Sequence, residues 1–348
     1  MLSLKTIRSR ISRYSGAFLM SLVAGGSRSR TCPEEPESIC ILAQEKLGDA
    51  ILLIPLFKEL KRCFPSVSLT IIASRKNDSF LQSIPFVDEV YNPKSSGKSF
   101  HVFARQRSFD ILYNPKDHPS RTFLIMTLLI KAVCKIGFKH AFSHRFYDIA
   151  LEKAKGLPIV ELNLRLLSLF SEDIPDSRIA PADLPVSHVD DAMAYFQTFA
   201  RPIIGLNLSA GSPEREWSKD RWESLIARIS PENATLFLFG MSDKSEMINS
   251  LISRYTHVIS HHPLRSIAEV HGYMRNLDGF ITPDTSLLHI ALINGIRTVG
   301  LFTNNMENIK RFYTPADTSR IIISRSSSIR DIEPADVLQK LKEIFREL

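Results

Sequence analysis

Residues 279–302 read GFITPDTSLLHIALINGIRTVGLF, and the fold follows from how this stretch divides. GFITP and RTVGLF are short apolar runs with the length and flanks of buried strands, and SLLHIALING between them has apolar residues at helical spacing. A strand, a helix and a strand of these lengths make a crossover unit of a parallel sheet. The polar residues Asp284, Thr285 and Ser286 fall in the turn from strand to helix, at the strand C-terminus where open parallel sheets bind ligands. Asp284 can cap the helix, and the amides of Thr285 and Ser286 with the helix dipole offer an anion site. His289 lies one turn on, looking back at the same point. The plain alternative is a capped helix with a core histidine.

Outward from this unit the alternation persists. Upstream come strand PIIGLNLS (Pro202 to Ser209), helix DRWESLIARI, strand ATLFLFG, helix SDKSEMINSLISRY, strand HVIS and helix SIAEVHGYMRN, and the chain closes on helix PADVLQKLKEIFREL. The first half begins with strand SICILAQ (Ser38 to Gln44) and a helix over LGDAILLIPLFKELKRCF, with Ile51, Ile54, Phe57 and Leu60 on one face. Strand SLTIIAS, a short helix, strand DEVYN, another helix, strand FDILYNP, helix RTFLIMTLLIKAV and strand KIGF follow, then a helix from about Pro158 to Phe170. The Pro-rich stretch Ile174 to Val186 separates the halves. The reading is α/β, with two Rossmann-like domains whose parallel sheets face a central cleft. The expected limits are a basic arm over 1–37, a first domain over 38–186, a second over 187–330, and a closing helix over 331–348 that packs back toward the first domain.

With 348 residues, 44% hydrophobic and 23% charged, the chain is globular material sufficient for two cores. Its net charge of +7 invites a nucleic-acid partner. Location removes that reading. Lys5, Arg8, Arg10, Arg13, Arg28 and Arg30 lie in residues 1–31, which hold no acid, and the remainder is close to neutral with 38 basic against 37 acidic residues. GAFLMSLVAGG (Gly16 to Gly26) is about half the roughly 20 residues a bilayer span needs. Three readings fit it: the apolar region of a signal peptide, a floppy extension, or a basic amphipathic segment lying on an anionic membrane, with Ile11, Phe18, Leu19 and Leu22 entering the acyl boundary. Cys32, Cys40, Cys63 and Cys134 show no metal-ligand spacing and read as reduced thiols acting as small hydrophobes. NPKSSGKS (Asn92 to Ser99) ends like a P-loop but lacks its first glycine and its strand-to-helix context. No GxGxxG or Asp-x-Asp occurs, and His261 and His262 read as a loop pair.

Two more strand-end loops carry unusual residues. In Lys46-Leu47-Gly48-Asp49-Ala50, Gly48 permits a tight turn and Asp49 arrives at a helix N-terminus, as a cap or as a general base for an acceptor hydroxyl. In Ser209 to Ser218, the small residues Ser209 and Gly211 let backbone amides approach a phosphate, and Arg215 can hold a diphosphate bidentately. Trp217 and Trp222 have packing of the next helix onto the sheet as their simplest role, above all Trp222.

These three loops, in this order, resemble those of the heptosyltransferases of glycosyltransferase family 9, over roughly residues 39 to 345. LGDAILLIP matches the family's LGD…P signature, EREWSKDRW its Lys-x-Trp-Pro…Trp pattern, and PDTSLLHIALINGIRTVGLF its Asp-Thr/Ser-Gly-x-x-His pattern, the most specific of the three. Arg215 stands for the family's Lys, Ser286 for its Gly and Ser218 for its Pro; Arg keeps the charge with another reach. The resemblance implies a GT-B enzyme that needs no metal or cofactor, inverts, and transfers heptose from ADP-heptose to the lipopolysaccharide inner core. Ser209, Gly211, Arg215, Ser242, Asp243, Asp284, Thr285, Ser286 and His289 would bind the donor, with Ser242 and Asp243 at the ribose or adenine edge, and Asp49 would be the base. Lys116, His118, Arg121, His140 and Arg145 are available to an anionic, lipid-linked glycan acceptor. The arm would then hold a cytoplasmic enzyme on the inner face of the membrane. Alternatives are another nucleotide sugar or glycan acceptor, or a non-catalytic nucleotide-sugar-binding protein of the same fold.

Overall fold

Short apolar runs with β-branched residues become strands, and the amphipathic stretches between them become the crossover helices of two parallel sheets. A computed structural model describes residues 14–22, 31–95, 99–154, 156–171, 189–261, 263–313 and 319–345. The chain divides into two units, Met1–Ser177 and Arg178–Leu348. The Pro-rich stretch, His262 and the part of the arm outside residues 14–22 and 31–37 lie outside the described residues.

In the first unit a helix over residues 14–22 (α1) precedes β1 (Ser38–Ala43), α2 (Leu47–Ile51), α3 (Ile54–Cys63), β2 (Ser68–Ala73), α4 (Asp78–Gln82) and β3 (Glu89–Tyr91). Then come α5 (Phe100–Gln106), β4 (Ser108–Asn114), α6 (Arg121–Leu129), β5 (Lys131–Phe138), β6 (Ile149–Leu151) and α7 (Ile159–Leu164). The second unit runs α8 (Val189–Phe196), β7 (Ile203–Asn207), α9 (Lys219–Ile226), β8 (Thr235–Phe239), α10 (Ser245–Arg254), β9 (Val258–Ile259) and α11 (Ile267–Arg275). It continues with β10 (Gly279–Pro283), α12 (Ser286–Ile293), β11 (Arg297–Phe302), α13 (Met306–Phe312), β12 (Ser319–Ile323) and α14 (Pro334–Ile344).

The strand orders are β3-β2-β1-β4-β5-β6 and β12-β11-β10-β7-β8-β9, all parallel. Numbered within its own unit, the second sheet repeats the order of the first, which is the Rossmann order. In each sheet the winding reverses between the unit's first and fourth strands, so the loops after β1 and β4, and after β7 and β10, border a ligand-binding switch point. These loops carry Lys116, Arg215 and Asp284, and the first of them leads into the turn of α2 that carries Asp49.

Several boundaries differ from the sequence reading. The long helix after β1 is two helices, because Pro55 at the second position of α3 supplies no amide to a turn before it. Helix α6 stops at Leu129 and β5 starts at Lys131, since residues 131–134 pair with β4 instead of extending the helix. The closing helix packs into the core of the second unit, where Val337, Leu341 and Phe345 join Trp217, Trp222, Leu225 and Val299. A β-carbon on Gly279 would sit 2.6 Å from the Phe345 ring, so the bare backbone at the start of β10 is what admits that ring. Cys32 and Cys134 are not free thiols but a disulfide with a Cα separation of 5.2 Å; Cys40 and Cys63 remain free, and burial pushes the Cys40 thiol far up, out of reach of ionisation.

Both tryptophans are buried, edge to face at 4.7 Å, so packing is the role of Trp217 as well. They differ in their N–H groups. Trp217 Nε1 donates to the Ile332 carbonyl at 3.0 Å, whereas Trp222 Nε1 has no partner among the described residues. Trp217→Phe is therefore expected to destabilise by about 1 kcal/mol more than Trp222→Phe in urea unfolding, the worth of one hydrogen bond. Equal losses would remove the bond as the cause.

Candidate functional site

In the second unit, Asn207 ends β7 and donates through Nδ2 to Thr282 Oγ1 (2.9 Å) and Thr285 Oγ1 (3.1 Å), stitching the two switch-point strands together. Its Oδ1 accepts from the Ser209 amide at 3.2 Å, and Ser209 Oγ accepts from the Met241 amide at 2.8 Å, which ties in the loop after β8. Ser209 is thus committed to shaping the loop. A β-carbon at Gly211 would lie 2.9 Å from Arg215 Nη2, so the guanidinium rests against bare backbone. Arg215 Nη1 donates to the Asp284 carbonyl at 2.5 Å and approaches its carboxylate at 3.3 Å.

Asp284 does not cap α12. The N-cap is Thr285, whose side chain makes no capping bond, and the buried Asp284 carboxylate instead receives Arg215 and, at 2.8 Å, Asn308 Nδ2 from α13. The side chain that sequence proximity assigns to its own helix serves as the counter-ion of a cation 69 residues earlier. The first-turn amides of α12 therefore receive nothing from the N-cap side chain, which suits an anion. His289, on the following turn, is buried; burial holds its pKa down, Asp284 pushes it up, and Arg215 lowers it. Ser242 and Asp243 form an exposed turn after β8, and the same turn carries Lys244, which pairs with Glu216 and holds its proton more tightly for it. The sequence reading passed over Lys244, Glu216, Asn207 and Asn308. Lys244 was discoverable as a lone cation in a strand-end loop; Asn308 carried no local signal.

In the first unit Asp49 lies in the first turn of α2, half-buried. The loop before it is clamped. Ser74 Oγ (2.8 Å) and Asn77 Nδ2 (3.2 Å) both donate to the Glu45 carbonyl, and the Glu45 carboxylate pairs with Lys116 from the loop after β4. Lys116 is thereby a partner of the Asp49 loop, across the switch point. His118 contacts Asp117 at 2.8 Å, while Arg121 and Arg145 are exposed.

His140 is unsuited to holding an anion by charge. Burial, then Lys153 and His144, lower its pKa to about 4, so the ring is neutral near pH 7. His271, on α11, is lowered to about 4 chiefly by burial. Both rings stay neutral in the folded chain down to about pH 4 but protonate near 6.5 once unfolded, so stability falls as pH is lowered through that window. The urea midpoint is expected to drop between pH 7 and 5, and His271→Gln to shrink the drop; an unchanged drop would place its origin elsewhere.

Among the described residues no three His, Cys, Asp or Glu side chains cluster as a metal site, and no helix is long and apolar enough to cross a membrane. The sequence profile of glycosyltransferase family 9 (heptosyltransferase) matches residues 103–340. The chain belongs to glycosyltransferase family 9. It is 22% identical over 301 residues to the lipopolysaccharide core heptosyltransferase OpsX of Haemophilus influenzae, covering 80% of this chain and 86% of that one. Its fold matches a family 9 glycosyltransferase from Veillonella parvula (TM-score 0.75, 17% identity, 93% of this chain and 100% of that one). It also matches E. coli heptosyltransferase WaaC with ADP (TM-score 0.71, 13% identity, 89% and 98%). The fold is GT-B, and as a family 9 member the chain is a glycosyltransferase.

Proposed function

We propose that this family 9 glycosyltransferase moves heptose from ADP-heptose to the inner core of lipopolysaccharide, with inversion and without a metal ion. The observation that carries the reading is the Arg215, Asp284 and α12 constellation at the switch point of the second sheet. A guanidinium and helix-terminal amides are the donors a leaving diphosphate needs, and fixed in a partly buried site they stabilise developing charge without reorganisation. That WaaC was solved with ADP, and OpsX is a core heptosyltransferase, supports the choice of donor and acceptor.

Asp49 would take the proton from the acceptor hydroxyl as it attacks the anomeric carbon in line, and the ADP oxygen departs toward Arg215 and α12. Ser286, Thr285, His289, Gly211 and Ser209 shape the donor site, with Ser242 and Asp243 toward the nucleoside. Lys116, His118, Arg121 and Arg145 remain for an anionic, lipid-linked acceptor. The basic arm would bring the enzyme to the anionic cytoplasmic face of the inner membrane; the apolar residues that α1 leaves exposed support this. Arg215 and Ser286, which depart from the family's Lys and Gly, favour a second reading in which another nucleotide sugar is the donor. ADP release from ADP-heptose and heptose-deficient lipopolysaccharide tests the first reading, and release from a different nucleotide sugar alone would select the second.

A further inference from the structure

Helix α1 is held on the first unit by one narrow face. Ala17 is buried against Leu124, Phe146 and Tyr147, with Met20, Leu128 and Phe142 beside them, and the Phe18 ring meets Phe142 at 5.6 Å. Away from that face the helix leaves large apolar side chains uncovered: Leu19 is 63% and Leu22 68% exposed, and Tyr14 and Phe18 are partly so. Helix α6, which receives α1 through Leu124 and Leu128, carries one residue further round an exposed stripe of Arg121, Ile125 and Leu129, four residues apart. The exposed Lys131 and Val133 follow directly, next to Cys134, where the disulfide fastens the base of the arm to β5.

Charge runs the same way. From His118 to Tyr147 the chain holds Arg121, Lys131, Lys135, Lys139 and Arg145 and no Asp or Glu, and the arm to residue 31 is equally free of acid. The two acid-free stretches are far apart in sequence, and the fold packs residues 14–22 of the first on the second.

We propose that α6 and α1 together form a single membrane-docking face, in which Ile125, Leu129, Phe18, Leu19 and Leu22 enter the interface of an anionic bilayer while Arg121 and Lys131 meet lipid phosphates. An exposed aliphatic stripe with the exposed Arg121 and Lys131 at its two ends, in a stretch of chain without acid, complements an anionic lipid surface better than a protein partner of mixed charge. This rests on the membrane reading of the arm and adds α6, which makes docking a property of the folded first unit instead of a detachable tail.

The test uses the full chain and sedimentation with vesicles of phosphatidylglycerol and phosphatidylethanolamine, or of phosphatidylcholine alone. Two variants are compared: Ile125→Glu with Leu129→Glu, and an arm whose six Lys and Arg are changed to Gln. The α6 variant is expected to bind anionic vesicles at least about tenfold more weakly than the parent, with unchanged thermal unfolding and unchanged turnover of a soluble acceptor. Parent-like binding by the α6 variant, with loss in the arm variant, would overturn the α6 face and leave the arm reading intact. Failure of the parent on anionic vesicles overturns both, and an α6 variant that converts a parent dimer to monomer without loss of vesicle binding would assign the face to a second copy of this chain.

Discussion

Replacing Asp49 by Asn is expected to lower turnover by about a hundred- to ten-thousand-fold, the range for losing a general base, while ADP affinity stays within about twofold. Asn keeps the shape and the hydrogen-bonding oxygen of Asp but cannot accept the hydroxyl proton. As an acid in the first turn of a helix, Asp49 contributes roughly 0.3 to 1 kcal/mol through the helix dipole, and α2 has only five residues. Its loop is separately clamped by Ser74, Asn77 and the Glu45–Lys116 pair, so the backbone should keep its course without the charge. Turnover and ADP binding measured on the same preparation distinguish the roles. Activity retained by Asp49→Asn would remove Asp49 as the base, and a parallel fall in ADP affinity would assign it to structure.

Arg215→Ala should show the opposite division, with weaker ADP binding and a fall in kcat of about a hundred- to a thousand-fold, as for the loss of one donor to a developing anion. Arg215→Lys, which restores the family's residue, should recover part of the loss. The charge survives, but the bidentate fork and its contact with the Asp284 carbonyl do not. A second readout separates charge from folding. Burial sets the low pKa of His289, Asp284 opposes it and Arg215 reinforces it, so removing Arg215 takes away one of the two lowering influences and the His289 pKa should rise. A titration of the His289 ring by NMR checks this. An unmoved pKa, or kcat unchanged in Arg215→Ala, would dissolve the Arg215–Asp284–His289 unit as a functional group.

Much of this was legible in the residues. GFITP and RTVGLF are β10 and β11 to the residue, because a buried parallel strand is apolar throughout and stops where the apolar run stops. Strands β6 and β12 were missed, as were α8 and α13. The two strands are sheet edges, each paired with one neighbour and partly exposed, so they lack the continuous apolar run of a central strand. The three loops of the site were found as loops, since strand-to-helix turns dense in polar and small residues are a local pattern. What their side chains hold was not found. Asp284 looks like a helix cap in sequence and is a counter-ion in space; His140 looks like a cation and is a half-buried neutral ring.

The sequence alone determined the alternation of strands and helices, the family, the loops that bear polar residues, and the confinement of the excess charge to residues 1–31. Each of these is written in neighbouring residues, where hydrophobic periodicity and turn chemistry act. Only the tertiary structure decided that Asp284 faces Arg215 and Asn308, that Glu45 meets Lys116, that Cys32 joins Cys134, and that α1 lies on α6. Strand order and register bring such pairs together across tens of residues. Burial then fixes the protonation of the histidines, and no local pattern encodes either effect.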